Sequence, residues 1–297
     1  MSKRWIGIVM LLLCAMIWGA AFVAQTVGME YVEPFTFQAC RCFLGSLILL
    51  PVIAVQDRRG NPKKPVAGQA QKKLWISGML CGILLFSACS LQQYGLLYTS
   101  TAKSGFITSL YIILVPITGL LFGKKVLPWI WISVLLALAG LYLLCGGGVS
   151  MGRGELLTLG CAIVFTFHIL LIDKVSPSVD GVRLSCIQFF VCGAISLVCM
   201  LVLESPDPHS ILQCWLPIAY AGFLSCGAGY TLQILAQART EPTIASLLMS
   251  LESVFAALFG WILLQQRLSA LEILGCTLVF GGVVLAQLPS KRSNTVS

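Results

Sequence analysis

Three ionisable side chains stand where an apolar sequence makes them costly: Arg41, His168 and Glu252. A charge in hydrocarbon is unfavourable unless it is paired or wetted, so such residues raise the question of a buried polar pathway. Glu252 lies near the middle of an otherwise uncharged run at 243 to 264. It reads either as a protonatable, ligand-contacting carboxyl in a wet cavity or as a hydrogen-bonded carboxyl that fixes helix packing. Arg41 sits about two helical turns into its own run. It is either a side chain that snorkels to the interface or an anion-binding or gating group that meets Glu252 or a substrate carboxylate. His168, set among Phe167, Ile169 and Leu170, belongs to the one residue type suited to proton switching at ordinary pH, yet a lone His there also packs as a neutral ring. Trp18, Gln25, Gln92, Gln93, Tyr94, Tyr230 and Gln233 are candidates to line the same cavity, together with Gln38, Gln188 and Gln237. An amide facing lipid would go unsatisfied, although each of these could instead bridge two helices.

The chain lacks the signatures of other chemistries. There is no HExxH, GxSxG or Walker A pattern, and no GxGxxG opening a helix after a strand, so neither an enzyme nor a nucleotide cofactor is expected. Two histidines in all argue against a His-rich metal or haem site. Thirteen cysteines without a CxxC spacing, most of them within apolar runs, read as compact apolar residues and not as ligands or a disulfide framework.

Ten apolar runs carry these residues: 5 to 25, 34 to 55, 74 to 97, 104 to 122, 128 to 147, 156 to 173, 183 to 203, 214 to 236, 243 to 264 and 270 to 288. About 20 apolar residues cross a bilayer core as a helix, every backbone amide there must be bonded internally, and long uncharged runs select helices over a barrel. With 58% hydrophobic and 10% charged residues, the expected fold is an all-α integral membrane protein of ten transmembrane helices, with the lipid bilayer as its partner. The longest link, 56 to 73, is rich in Lys, Arg, Pro and Gly and reads as a solvated loop. The net charge of +8 is a topology signal and implies no nucleic-acid partner. With the N-terminus inside, Lys3, Arg4, Arg58, Arg59, Lys63, Lys64, Lys72, Lys73, Lys124, Lys125, Lys174, Arg183, Arg239, Lys291 and Arg292 fall inside, and only Lys103, Arg153 and Arg267 outside. The positive-inside rule then puts both termini in the cytoplasm. The first run has a basic flank but is longer than a signal-peptide core, so it counts as a span.

The chain also repeats itself. A shift of 147 lays Gly7 on Gly154, Cys14 on Cys161, Ala15 on Ala162, Trp18 on Phe165 and Leu50 on Leu197. A shift of 141 lays Ser109 and Leu110 on Ser250 and Leu251, Gly119 on Gly260, and Gly140 on Gly281. Residues 1–147 and 148–297 are therefore expected to be two copies of five spans each. An odd number of spans forces the copies into opposite orientations, and inverted repeats place a substrate site near the midplane where one half rocks against the other. The glycines at Gly146 to Gly148, Gly227, Gly229, Gly281 and Gly282 are expected at tight turns or close helix crossings.

Several segments resemble the EamA family of the drug/metabolite transporter superfamily: Ile17-Trp18-Gly19-Ala20-Ala21-Phe22-Val23, Arg41 following Pro34, Thr101 to Tyr111 through Pro116, and Ser250 to Trp261. The resemblance covers nearly the whole chain. It implies ten helices in two inverted five-helix repeats, a central cavity, and transport of small metabolites, often export of amino acids or related compounds. The family pattern has Pro where Ser253 stands and Glu where Gln265 and Gln266 stand, with Lys124 in the corresponding place of the first repeat. The expectation is a secondary transporter in a prokaryotic plasma membrane, an exporter of a small organic solute, working by alternating access and driven by a substrate or proton gradient. Oligomeric state is left open. The alternative is a non-transporting scaffold or sensor subunit, in which polar residues would be scattered among helix contacts and would not converge on one cavity.

Overall fold

The computed structural model describes residues 3–60, 68–99, 101–123, 126–144, 152–265 and 268–287. Lys124, Gln266 and Gly146 to Gly148 lie outside them. The first repeat-length half holds α1 (Lys3–Gly28), α2 (Pro34–Arg58), α3 (Gln69–Leu96), α4 (Thr101–Thr108), α5 (Tyr111–Leu121) and α6 (Pro128–Leu144). The second holds α7 (Arg153–Val175), α8 (Gly181–Leu203), the short α9 (Pro208–Gln213), α10 (Trp215–Ala219), a π-helical segment (Tyr220–Tyr230), α11 (Thr231–Gln237), α12 (Pro242–Met249), α13 (Leu251–Leu264) and α14 (Ala270–Gln287). All regular structure among the described residues is helical, and nine spans are long and apolar enough to cross a membrane. The tenth, α6, has 17 residues and rises about 25 Å, close to the hydrocarbon thickness.

Two spans are interrupted at matching places. The turn at Ser109 and Leu110 separates α4 from α5, and Ser250, 141 residues after Ser109, separates α12 from α13. At both, backbone bonding tightens to three-residue spacing: Ile112 N–H donates to the Ser109 carbonyl, and Ser253 N–H to the Ser250 carbonyl. The Ser246 and Ser250 hydroxyls donate back to the Thr243 and Leu247 carbonyls, the local competition by which serine loosens a helix. Ser253 Oγ lies 2.7 Å from Ser109 Oγ and donates to the Gly105 carbonyl. The Ser253 hydroxyl thus ties the two interruptions together.

The halves interlock and do not sit side by side. α2 packs along α8, α6 along α14, α1 along α13 and the π segment, and α7 along α3 and α5. The α6–α14 crossing brings backbone to backbone at Gly140 and Gly275, where an added Cβ would lie 2.6 Å from the facing carbonyl oxygen. The described cysteines are unbridged and mostly buried, as compact apolar packing requires.

The antiparallel α2–α8 pair is fastened at both ends. At one end the Glu204 carboxylate accepts from Phe35 N–H and Thr36 N–H, both at 2.7 Å, and from Thr36 Oγ1 at 2.8 Å. It therefore caps the N-terminus of α2 from the far side of the molecule, where the helix dipole favours an anion. Glu33 answers by accepting from Ser205 N–H. At the other end, Asp57 at the close of α2 pairs with Arg183 at the start of α8. These two ends are named below the Glu33 face and the Arg239 face.

Candidate functional site

A cavity of about 40 Å³ lies at the level of the two helix interruptions. It is walled by Trp18, Phe22 and Gln25 of α1, Arg41 of α2, Gln92 of α3, Thr108 and Tyr111 at the first interruption, and Phe165 and Ile169 of α7. Ser225, Tyr230 and Gln233 close it from the π segment and α11, and Met249 and Glu252 from the second interruption. Its volume suits about two water molecules and not a metabolite, so the polar groups have closed in on one another.

Arg41 is 5% exposed and points into this space; it does not snorkel. Nη1 donates to Gln25 Oε1 at 2.9 Å, Nε has no hydrogen-bond partner, and no carboxylate among the described residues comes within ion-pair distance. Gln25 itself is tied by its amide nitrogen to the Ala21 carbonyl, which fixes the oxygen toward the guanidinium. The Arg41 guanidinium also lies 5.6 Å from the Phe37 ring centre, a cation–π contact. Of the roles open to Arg41, a pair with Glu252 is not formed. The Glu252 carboxylate instead accepts from Tyr111 O–H at 2.9 Å.

The cavity also has an aromatic wall. The Trp18 and Tyr230 rings are 4.5 Å apart and tilted by 54°. Trp18 reaches this position because residue 229 is Gly, where a Cβ would lie 2.8 Å from the indole nitrogen. The indole N–H has no partner, nor has Gln233 Oε1, so the cavity presents a spare cationic donor, a spare neutral donor and a spare acceptor. Tyr230 closes the π-helical segment. Such wide turns occur mostly as irregularities at functional sites, and this one swings Ser225 and Tyr230 onto the cavity.

Of the residues singled out from sequence, Trp18, Gln25, Arg41, Gln92, Tyr230, Gln233 and Glu252 line this one cavity. Gln93, Tyr94 and His168 do not. Gln92 donates to Thr108 Oγ1 at 3.2 Å, while its neighbour Gln93 turns about 100° around the helix and is buried with neither amide atom bonded. Tyr94 packs edge-on against Phe35, 5.3 Å between ring centres, toward the Glu33 face. His168 lies behind the wall, its Nε2 3.2 Å from Gln188 Oε1 and its ring edge-on to Phe165 and Tyr230. Its surroundings are those of a packed core ring. Tyr111 was the partner missed; the 141-residue shift lays it directly on Glu252, a register from which the contact could have been found.

On the Arg239 face a vestibule of about 550 Å³ opens between Val115 and Gly119 of α5, Asp173 and Pro177 at the end of α7, and the turn from Gln237 to Thr243. Gln237, which lines the vestibule, donates to the carbonyl of Ile169, which lines the cavity. Toward the Glu33 face stand the Glu204 cap and the Phe35, Phe86 and Tyr94 rings. Among the described residues no cluster of His, Cys, Asp and Glu is suited to hold a metal ion.

The sequence model of the EamA-like transporter family matches this chain twice, over residues 5–146 and 152–288. An "Uncharacterized transporter" of Archaeoglobus fulgidus is 29% identical over 281 residues, covering 94% of this chain and 84% of that protein. "Uncharacterized transporter YoaV" of Bacillus subtilis is 22% identical, with 96% and 97% covered. "Uncharacterized inner membrane transporter YedA" of Escherichia coli K12 is also 22% identical, with 92% and 87% covered. A crystal structure superposes with a TM-score of 0.76 at 20% identity over 96% of both chains, a likeness of fold.

Proposed function

Because the chain belongs to the EamA-like transporter family and is a multi-pass membrane transporter, we propose that it moves a small organic metabolite bearing a carboxylate, such as an amino acid or a related compound, outward across a prokaryotic inner membrane. The observation that carries this reading is Arg41: a buried, permanently charged guanidinium with a free Nε and no described counter-ion. Guanidinium and carboxylate match in planar, charge-assisted geometry. Glu252 with Tyr111, and the Trp18–Tyr230 faces, suit an ammonium group at the other end of the same solute. The convergence of polar residues from both halves on one cavity favours transport over a scaffold, in which they would be dispersed.

The basic residues Arg58, Arg59, Lys72, Lys73, Lys174, Arg183 and Arg239 share the Arg239 face, which under the positive-inside rule is cytoplasmic. The vestibule then receives solute from the cell interior. Movement proceeds by alternating access, with the cavity at the point where the two interrupted spans meet. Proton coupling through Glu252 is part of the proposal. Around that carboxyl stand the Tyr111 hydroxyl on α5, Cys14 on α1 and Cys161 on α7.

The test is to express wild type and Glu252→Gln at matched membrane levels and follow intracellular and extracellular solute profiles across external pH. A carboxylate-bearing solute should leave wild-type cells faster, with a pH dependence that Glu252→Gln removes. Unchanged distributions for every solute at every pH would favour the scaffold reading.

A further inference from the structure

Along the middle of the α2–α8 seam, Gln38, Cys42 and Ser46 recur every four residues and so share one face of α2. That face meets two cysteines of α8. Gln38 Nε2 lies 3.6 Å from Cys192 Sγ, and the Ser46 hydroxyl donates to the Cys186 carbonyl at 3.1 Å. Between these two ties a thiol stands against a thiol: Cys42 Sγ is 3.4 Å from Cys192 Sγ, although the two residues are 150 positions apart and come from opposite halves of the chain. The helices run close here, since a Cβ added at Gly193 would lie 3.3 Å from Cys42 Cβ. Neighbouring buried thiols are matched with oxygen instead. Cys89 Sγ lies 3.9 Å from the Tyr230 hydroxyl, and Cys186 Sγ 3.4 Å from Ser46 Oγ. Cys226 of the π segment also borders Cys42, which makes it the rival partner. Cys42 and Cys192 are buried, but Cys42 follows Arg41, a residue of the cavity wall whose charge acts on it.

We propose that Cys42 and Cys192 form a dithiol modification site, which a water-sized hydroperoxide entering through the cavity converts to a disulfide that joins the two halves of the chain. The Cys42 sulfur attacks one peroxide oxygen and the O–O bond breaks. The other oxygen leaves with the thiol proton as water or an alcohol, and Cys42 becomes a sulfenic acid. The Cys192 sulfur then attacks the Cys42 sulfur, the S–O bond breaks, and the hydroxyl leaves as water with the Cys192 proton. Two thiols lose two electrons to one hydroperoxide. Arg41 stands beside the attacking sulfur, where a fixed positive charge steadies the negative charge that builds on the reacting atoms. The sulfurs close by about 1.4 Å to reach bonding distance, within a seam already held in register at both ends by Glu204 and by Asp57 with Arg183. This site goes beyond the transport reading and does not rest on it.

The experiment treats the purified full chain in lipid nanodiscs with hydrogen peroxide, blocks the remaining thiols with a maleimide and maps the peptides by mass spectrometry. The Cys42 and Cys192 peptides should lose their free thiols together and appear as a linked pair lighter by two hydrogens. The melting midpoint should rise on the order of 5 °C, because the link removes a long loop's freedom from the unfolded chain, and a thiol reductant should reverse both changes. Cys192→Ser should leave Cys42 as a sulfenic acid that dimedone traps, with no rise in the midpoint, whereas Cys226→Ala should keep the linked pair. A link from Cys42 to Cys226, oxidation spread evenly over the buried cysteines, or no linked pair in the wild type would each overturn the proposal. If Cys192→Ser does not fold, the wild-type peptide map and Cys226→Ala decide by the same criteria.

Discussion

The central cavity and the two ends of the α2–α8 seam both gather charged groups from the two halves of the chain, and they treat them in opposite ways. At the seam ends each charged group is met: Glu204 accepts three hydrogen bonds, and Asp57 pairs with Arg183. In the cavity Arg41, Trp18 and Gln233 each keep an atom with no described partner. A buried polar atom without a partner loses its hydration and gains nothing in return. The paired charges at the seam ends mark where the molecule is held; unpaired atoms occur outside the cavity too, at Gln93, Ser185 and Gln188, but among the described residues only in the cavity does one of them belong to a guanidinium that faces open space.

The largest effect should follow at Arg41. Hydrogen bonds to a charged group are worth about 1.5–3 kcal/mol, so Arg41→Gln should lower flux into proteoliposomes roughly 10- to 100-fold. Its thermal midpoint should stay level or rise, because no described carboxylate is orphaned when the charge is removed. A variant that melted early but moved solute normally per folded molecule would make the cavity a second fastening and erase the contrast with the seam.

Sequence made the helices legible because each crossing announces itself through an unbroken apolar run, and the charged links announce the faces. It hid the interruptions at Ser109 and Ser250, since hydropathy runs straight through both. The π-helical segment shows in the sequence only as glycines, which fit tight turns or close helix crossings equally well. Adjacent residues show the same limit at the site: Gln92 and Gln93 have the same chemistry, and only the helix's rotation decides which one meets the cavity. Tyr94 and His168 lie off the cavity, as a polar aromatic in a span satisfies itself equally well against a ring or an amide. Glu204 carried no signal at all, for it caps a helix whose first residues lie 168 and 169 positions away.

An intermediate effect is expected at that cap. Glu204→Gln keeps one accepting oxygen but loses the charge and the second acceptor at the N-terminus of α2, together worth about 1–2 kcal/mol. The apparent melting midpoint should fall about 3 °C, while flux per folded transporter stays at the wild-type level. A selective loss of flux would show that the Glu33 end of the seam takes part in the cycle.

The smallest effect should come at the opposite end. The Asp57 and Arg183 side chains are 25% and 20% exposed, and a partly solvated pair contributes at most about 1 kcal/mol, screened by salt. Asp57→Asn should therefore cost about 1–2 °C, and less at high ionic strength. Asp180 remains within 3.9 Å of Arg183 to hold part of its charge. The informative form is the double variant Glu204→Gln, Asp57→Asn. The two fastenings sit at the far ends of a 25-residue helix, roughly 37 Å apart, and share no partner, so their costs should add within about 0.5 kcal/mol. Additive melting with unchanged flux is the behaviour of a spine that stays closed while other seams open. Flux that collapses only in the double variant would mean that each end releases in turn and that α2 and α8 part during transport.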